Sequence, residues 1–342
     1  MEMNPKAARP PAGTWRTRVL QSIALWFDNG AAAAAVVAEA GAPEPAATGA
    51  ARRHIDWLRV LPFLGIHAGC LAVLAVGFSW VALGVAVLLY AVRMFAITGF
   101  YHRYFAHRAF RATRPVQFAF ALLGASSAQR GPLWWASHHR HHHVHSDAPQ
   151  DPHSPRQHGF WWSHMGWFLA SDSFATRMER VPDLARFPEL RFLDRFDLLA
   201  PLALGALLFA AGQLLASFAP GLQTNGSQLL VWGFFVSTVA LYHATFCINS
   251  LSHRFGVRRY DTGDDSRNNP WLALLTFGEG WHNNHHHFPG AARQGFYWWE
   301  FDLTYLGLRA LAAIGAIRDL KQVPAEFLAA RRSVSAGAGA QA

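Results

Sequence analysis

Two long apolar stretches set the pattern of this chain. From Val60 to Phe100 the only formal charge is Arg93. Roughly 40 residues of this kind make two helical spans of about 20, each long enough to cross a bilayer core. The break is expected at Gly77-Phe78-Ser79-Trp80, giving spans at about 60–78 and 79–100. A second apolar pair covers about 198–219 and 228–248, joined by APGLQTNGSQ. Two such pairs are hard to bury in one globular core. The pattern therefore predicts an all-α membrane protein with four transmembrane helices in two hairpins. Two further stretches, 115–129 and 160–170, are too short or too polar to span. They read as helices at the membrane interface or against the other spans.

Polar and basic positions then orient the hairpins. Arg52, Arg53 and Arg59 precede the first span, and the segment between the pairs is rich in Arg. Arg254, Arg258 and Arg259 follow the fourth span, while neither short hairpin loop carries Lys or Arg. The positive-inside rule puts both termini and the long polar segments in the cytoplasm, where they would form a helical cap. Residues 1–50 are rich in Ala, Pro and Gly and are expected to be mostly disordered. Asp28 interrupts their only short apolar run, which argues against a signal peptide. The tail 331–342 is biased in the same way, leaving 51–330 as one membrane domain.

Composition refines this picture in three places. Mean hydropathy is only +0.09, so a substantial aqueous portion accompanies the spans. The net charge of +9 raises a nucleic-acid reading, but the basic residues flank apolar segments. Anionic lipid headgroups and topology explain that placement better, and no nucleic-acid partner is expected. Cys70 and Cys247 are the only cysteines, which implies neither a disulfide framework nor a Cys-based zinc site.

Histidines carry the chemistry. His102 and His107 lie in HRYFAH, and His139, His142 and His143 in HHRHHHVH. His253 stands alone in NSLSHRFG, and His282, His285 and His286 lie in HNNHH. Imidazole suits iron, zinc and copper. Both trios have i, i+3, i+4 spacing, which places three rings on one helical face. His102 and His107 are about 140° apart on a regular helix and converge only if the helix ends or distorts between them. His54, His67, His153, His158 and His164 default to ordinary surface or core residues. His138, His141, His145 and His287 lie in the dense runs but off the shared faces. Asp147, Asp151, Glu279 and Asp265 are candidate partners for the second ring nitrogens. A single Glu-x-x-His, Glu279 with His282, is too little for a soluble di-iron bundle site, which uses two.

These motifs, extended to HHRHHHVHSDAPQDPHSP and GEGWHNNHHHFP, resemble the membrane fatty acid desaturases, specifically the acyl-CoA Δ9 branch. WWSHMGW and WWEFDLTYLGLRALAAIGAIRDLKQVP match as well, so the resemblance runs from about 55 to 325. It implies two non-haem iron ions held by His102, His107, His139, His142, His143, His253, His282, His285 and His286. Asn249 matches a residue that holds a water on one iron; a hydrogen bond capping the fourth span is its plainer role. The expected division places His102, His107, His139, His143 and His286 on one iron. His142, His253, His282 and His285 fall on the other.

Removing two hydrogens from unactivated methylenes is beyond side-chain acids and bases, so the metals must supply the oxidising power, with O2 as co-substrate. No G-x-G-x-x-G, CxxCH or Cys₄ pattern is present, and no cytochrome b5-like segment is recognisable. The electrons are expected from a separate ferredoxin-, rubredoxin- or cytochrome b5-like protein. The substrate is expected to be acyl-CoA or an acyl lipid of the membrane. In the animal enzymes, Arg-Asp and Arg-Lys pairs contact coenzyme A. The aligned positions here are Ser137-His138 and Ser171-Asp172, so a phospholipid carrier becomes a contender. Arg140, Arg156 and Arg177 are possible replacements. The competing readings are a di-iron hydroxylase acting on a lipid or alkane, and a His-rich metal carrier. The carrier would need polar groups inside the spans, which hold little besides His67 and Arg93.

Overall fold

A computed structural model describes residues 15–30 and 55–329. Within the segment expected to be disordered, Trp15–Phe27 forms a helix, α1. Its sequence WRTRVLQSIALWF holds enough apolar residues to pack on the first span. Trp26 Nε1 donates to the Leu58 carbonyl at 3.1 Å, and the Asn29 amide to the Arg195 carbonyl at 2.9 Å. Residues 1–14, 31–54 and 330–342, which include both tails, lie outside the described residues.

Among the described residues, four helices are long and apolar enough to cross a membrane. The first hairpin is α2 (Trp57–Val76) and α3 (Trp80–Ala106). Its turn falls where the sequence breaks. Gly77 takes φ +71°, a conformation that disfavours side chains, and Ser79 Oγ caps α3 by accepting from the Ala82 amide. The chain then enters the cap through β1 (Arg111–Ala112), α4 (Arg114–Ala125), α5 (Pro132–His145) and α6 (Pro188–Arg195). The second hairpin is α7 (Leu199–Phe218) and α8 (Gly226–Ser250), whose start is fixed by a capping box between Asn225 and Gln228. The cap is completed by α9 (Pro270–Leu275), α10 (His282–His287), α11 (Leu303–Ala313) and β2 (Ile317–Arg318), which pairs antiparallel with β1.

The cap core packs on the end of α3. Phe100, Tyr101 and Phe105 are buried with Leu133, Leu184, Leu190 and Leu308. Helix α4 lies directly on α3, with Phe100 and Phe120 stacked at 3.8 Å. That approach needs Gly124, where a Cβ would come within 2.1 Å of the Tyr101 ring. Arg93 inside α3 is fully buried and satisfied by Thr238 Oγ1 at 2.8 Å, the Ser126 carbonyl at 3.2 Å and Ser237. Its charge therefore faces the bundle interior and not lipid.

His67, His164 and His243 form a hydrogen-bonded chain between α2, the cap and α8. His67 Nδ1 can only donate to the Phe63 carbonyl, at 2.9 Å. In a neutral ring its Nε2 must then accept, from His243 Nε2 at 3.2 Å. His243 Nδ1 in turn accepts from His164 Nε2 at 3.0 Å, and His164 Nδ1 accepts from Ser250 Oγ at 2.9 Å. One set of tautomers satisfies every ring contact with all three rings neutral, provided that the single Ser250 hydroxyl proton goes to His164 and not to the Phe246 carbonyl. Burial, together with His243, holds His164 at about 4, which keeps it neutral. His243→Leu should therefore lower stability by about 1–3 kcal/mol, by leaving the buried His164 donor unpaired. Thermal unfolding in detergent measures this, and an unchanged midpoint would contradict it.

Candidate metal centre

The nine histidines converge from four elements. His102 lies in the last turns of α3, and His107 just beyond its end. Over Ala96–Ala106 the helix is widened to i→i+5 hydrogen bonding, and the His107 amide donates to the His102 carbonyl at 3.2 Å. Positions five apart then stand one above the other, which is the distortion their spacing requires. His139, His142 and His143 project from α5, and His282, His285 and His286 from α10. His253 lies in the turn that follows α8, not on the helix itself.

The donor atoms fall into two groups, each within 4.8 Å. One holds His102, His107, His139, His143 and His285; the other holds His142, His253, His282 and His286. The expected division is thus corrected at one pair, because His285 and His286 exchange places. His285 Nε2 stands 2.9 Å from the Nε2 atoms of both His102 and His143. His286 pairs by i, i+4 with His282, their rings 4.3 Å apart.

Carboxylates fix the ring tautomers. His253 Nδ1 donates to Asp147 at 2.8 Å, His142 Nδ1 to Asp151 at 3.0 Å and His286 Nδ1 to Asp264 at 2.6 Å. His102 Nδ1 donates to Glu279. A neutral ring that donates from Nδ1 keeps a bare lone pair on Nε2. The Nε2 atoms of both groups converge, with His253 and His282 Nε2 at 3.0 Å and His107 and His139 Nε2 at 2.8 Å. His286 Nε2 and His282 Nδ1 are buried without any hydrogen-bond partner. Converging ring nitrogens in both groups, with two left unpartnered in the group of His142, His253, His282 and His286, fit a cation in each, and carboxylate–histidine pairs are the usual support for one.

Electrostatics agrees. Burial, reinforced by neighbouring imidazoles, pushes His107, His139, His143, His282 and His285 well below their ordinary value. Neutral rings are what metal ligation needs. Burial pushes His286 down to about 4, with Asp264 partly opposing. His142 differs, because Asp151 overcomes burial and raises it. A positive charge on its Nε2 side, proton or metal, is thereby favoured. Burial raises the Asp147, Asp151 and Asp264 carboxyls, but their histidine partners and hydrogen bonds win and leave each one low.

Three of the four anticipated carboxylates hold a ring, and the fourth is corrected by one residue. Asp265 pairs with the exposed Arg156 at 2.5 Å and offers only its backbone amide to Asp147, while Asp264 holds His286. Arg103 and Gln294 were not anticipated. Both contact Glu279, at 3.0 Å each, and so brace the group that holds His102. His153 is more than a bystander, being buried against His142 at 4.3 Å between ring centres. His54 lies outside the described residues.

A cavity of about 200 Å³ reaches this centre through Trp135, whose ring stacks on His139 at 4.8 Å, and Asn249 lines it too. Phe63, Phe168, Tyr242 and Phe246 make its walls apolar.

Fold and site together define a multi-pass membrane protein whose histidine-lined centre fits two metal ions. A fatty acid desaturase family model matches residues 78–316, and the chain belongs to that family. It is 41% identical over 271 residues to an sn-1 stearoyl-lipid 9-desaturase of Anabaena variabilis, covering 78% of this chain and 94% of that one. It is 37% identical over 280 residues to an sn-2 palmitoyl-lipid 9-desaturase of Nostoc sp., covering 79% and 92%. An acyl-CoA 5-desaturase of Anemone leveillei is 40% identical over 287 residues, covering 80% and 84%. The chain is accordingly an oxidoreductase that uses dioxygen to introduce a double bond into a fatty acyl chain.

Proposed function

We propose that this protein places a cis double bond at the Δ9 position of a saturated acyl chain, carried on a membrane lipid or on coenzyme A. All nine histidines serve as ligands to two non-haem irons. The active site and both termini face the cytoplasm, a reading that the distribution of Arg supports. Electrons come from a separate carrier protein. The observation that carries the reading is the largely apolar cavity whose Trp135 wall stacks on His139 of the converged rings.

Iron bound there supplies the oxidising power, converting two adjacent methylenes, O2, two electrons and two protons to one alkene and two waters. The protein's own part is to place the chain and keep it dry. The aromatic walls exclude water and hold an extended chain, and Trp135 sets where the chain passes His139. The four carboxylates hold the rings in the ligating tautomer. Asn249, which lines the cavity, orients a water at the centre. Asn249→Ala should reduce turnover by about 10–100-fold, as changes to groups supporting a metal site do.

Fatty-acid analysis of a desaturase-deficient host expressing the chain tests the reading. It should yield Δ9 monoenes. Hydroxylated products in their place would favour the hydroxylase alternative.

A further inference from the structure

The replacement cations suggested by sequence do not line the acyl cavity. Arg140 is spent on Asp183, at 2.7 Å, and on the carbonyls of Phe105, Ala106 and Arg180. Arg156 is paired with Asp265. Arg177 reaches only the Asp172 carbonyl, at 3.5 Å. Three charged residues line the cavity instead, Arg59, Arg130 and Asp197.

These residues converge around one side chain. Arg59 Nη2 and Arg130 Nη2 both donate to Asn29 Oδ1, at 2.6 and 3.1 Å. Arg130 Nε faces Asp197 at 2.8 Å. Both guanidinium groups lie over the Phe174 ring, at 4.2 and 6.0 Å from its centre. Two cations are thus held side by side against an aromatic wall, with the Asp197 carboxylate on Arg130 and the Asp56 carboxylate close enough to act on Arg59. Among the described residues, hydrogen bonds engage only one of the five N–H groups of Arg59. Arg59 opens the cytoplasmic end of α2, just where a headgroup would leave the bilayer. The guanidinium N–H groups of Arg59 that these bonds leave over can meet a further acceptor in the cavity, and arginine matches phosphate geometry in particular.

We propose that Arg59 and Arg130, set by Asn29, form a subsite for a phosphate carried on the acyl donor. The subsite would discriminate phosphate-bearing carriers, whether phosphodiester lipid or nucleotide thioester, from uncharged glycolipids. This rests on the desaturase reading of the cavity and goes beyond it by naming the carrier's chemistry.

The test uses purified full-length enzyme in nanodiscs, with a reducing system and three labelled stearoyl donors. They are stearoyl phosphatidylglycerol, stearoyl-CoA and stearoyl monogalactosyldiacylglycerol. Wild-type enzyme should favour one or both phosphate-bearing donors over the galactolipid, and the faster of the two identifies the source of the phosphate. In R59Q/R130Q the KM for those donors should rise about 10–100-fold, with kcat and the galactolipid KM little changed. R59K/R130K keeps the charges but not the planar fork and should retain a smaller preference with the galactolipid KM unchanged, which separates recognition from damage to the fold. Equal use of all three donors by the wild type, or a preference lost in the Lys pair or kept in the Gln pair, would overturn the proposal. Conversion of none of the donors would instead defeat the desaturase reading.

Discussion

His253→Ala should abolish desaturation and cost the protein one of its two metal ions, with membrane insertion unchanged. His253 stands outside the three clustered motifs, so sequence spacing alone gives it little weight. The structure gives it two partners, Asp147 at Nδ1 and His282 at Nε2, and it is only 4% exposed. Its group holds four rings against five in the other, so each counts for more. The loss should exceed the ~10–100-fold expected for a residue that merely orients a ligand. Because His253 lies in a turn after α8, its loss leaves the spans intact. Metal analysis and turnover on the same sample check this, and near-normal turnover would remove His253 from the ligand set.

Glu279→Ala should be the most destabilising of the changes around the centre. Glu279 meets His102, Arg103 and Gln294 at once, and burial raises its carboxyl while His102 and Arg103 bring it below the ordinary value. Arg103 is only 1% exposed. Its remaining carboxylate would be Asp302, at 3.0 Å. Breaking a buried ion pair by removing one partner costs about 3–5 kcal/mol, because the other charge stays buried. Glu279→Gln keeps the shape and a hydrogen-bond acceptor, so it should fold while losing metal affinity by about 10–100-fold. Thermal unfolding and metal titration of both variants separate the two roles. Equal stability of Glu279→Ala and the wild type would show that the cluster does not brace the centre.

The four spans were legible because lipid demands long uncharged runs, and Gly77 and Ser79 mark the first turn directly. The histidine trios were legible because helical spacing is local. What escaped depends on contacts remote in sequence. Asp264 and Asp265 are adjacent in an irregular loop, where no periodicity tells which one faces inward. The exchange of His285 and His286 depends on how α10 is rotated against α5, which no local pattern encodes. Helix α1 was hidden by the Ala/Pro-rich composition around it. His243 left a usable signal, an ionisable residue within an apolar span, and with His67 in another span a partner could have been inferred. Arg59 reads as a topology signal and Arg130 as part of a loop, until the fold brings both to Asn29.

The central claim is that the nine histidines hold two irons and that activity depends on both. The direct measurement is metal content of anaerobically purified, catalytically active protein, set against its specific activity. The account predicts two irons per chain, with activity rising as the second is filled. Full activity with one metal per chain, or with zinc alone, would contradict it.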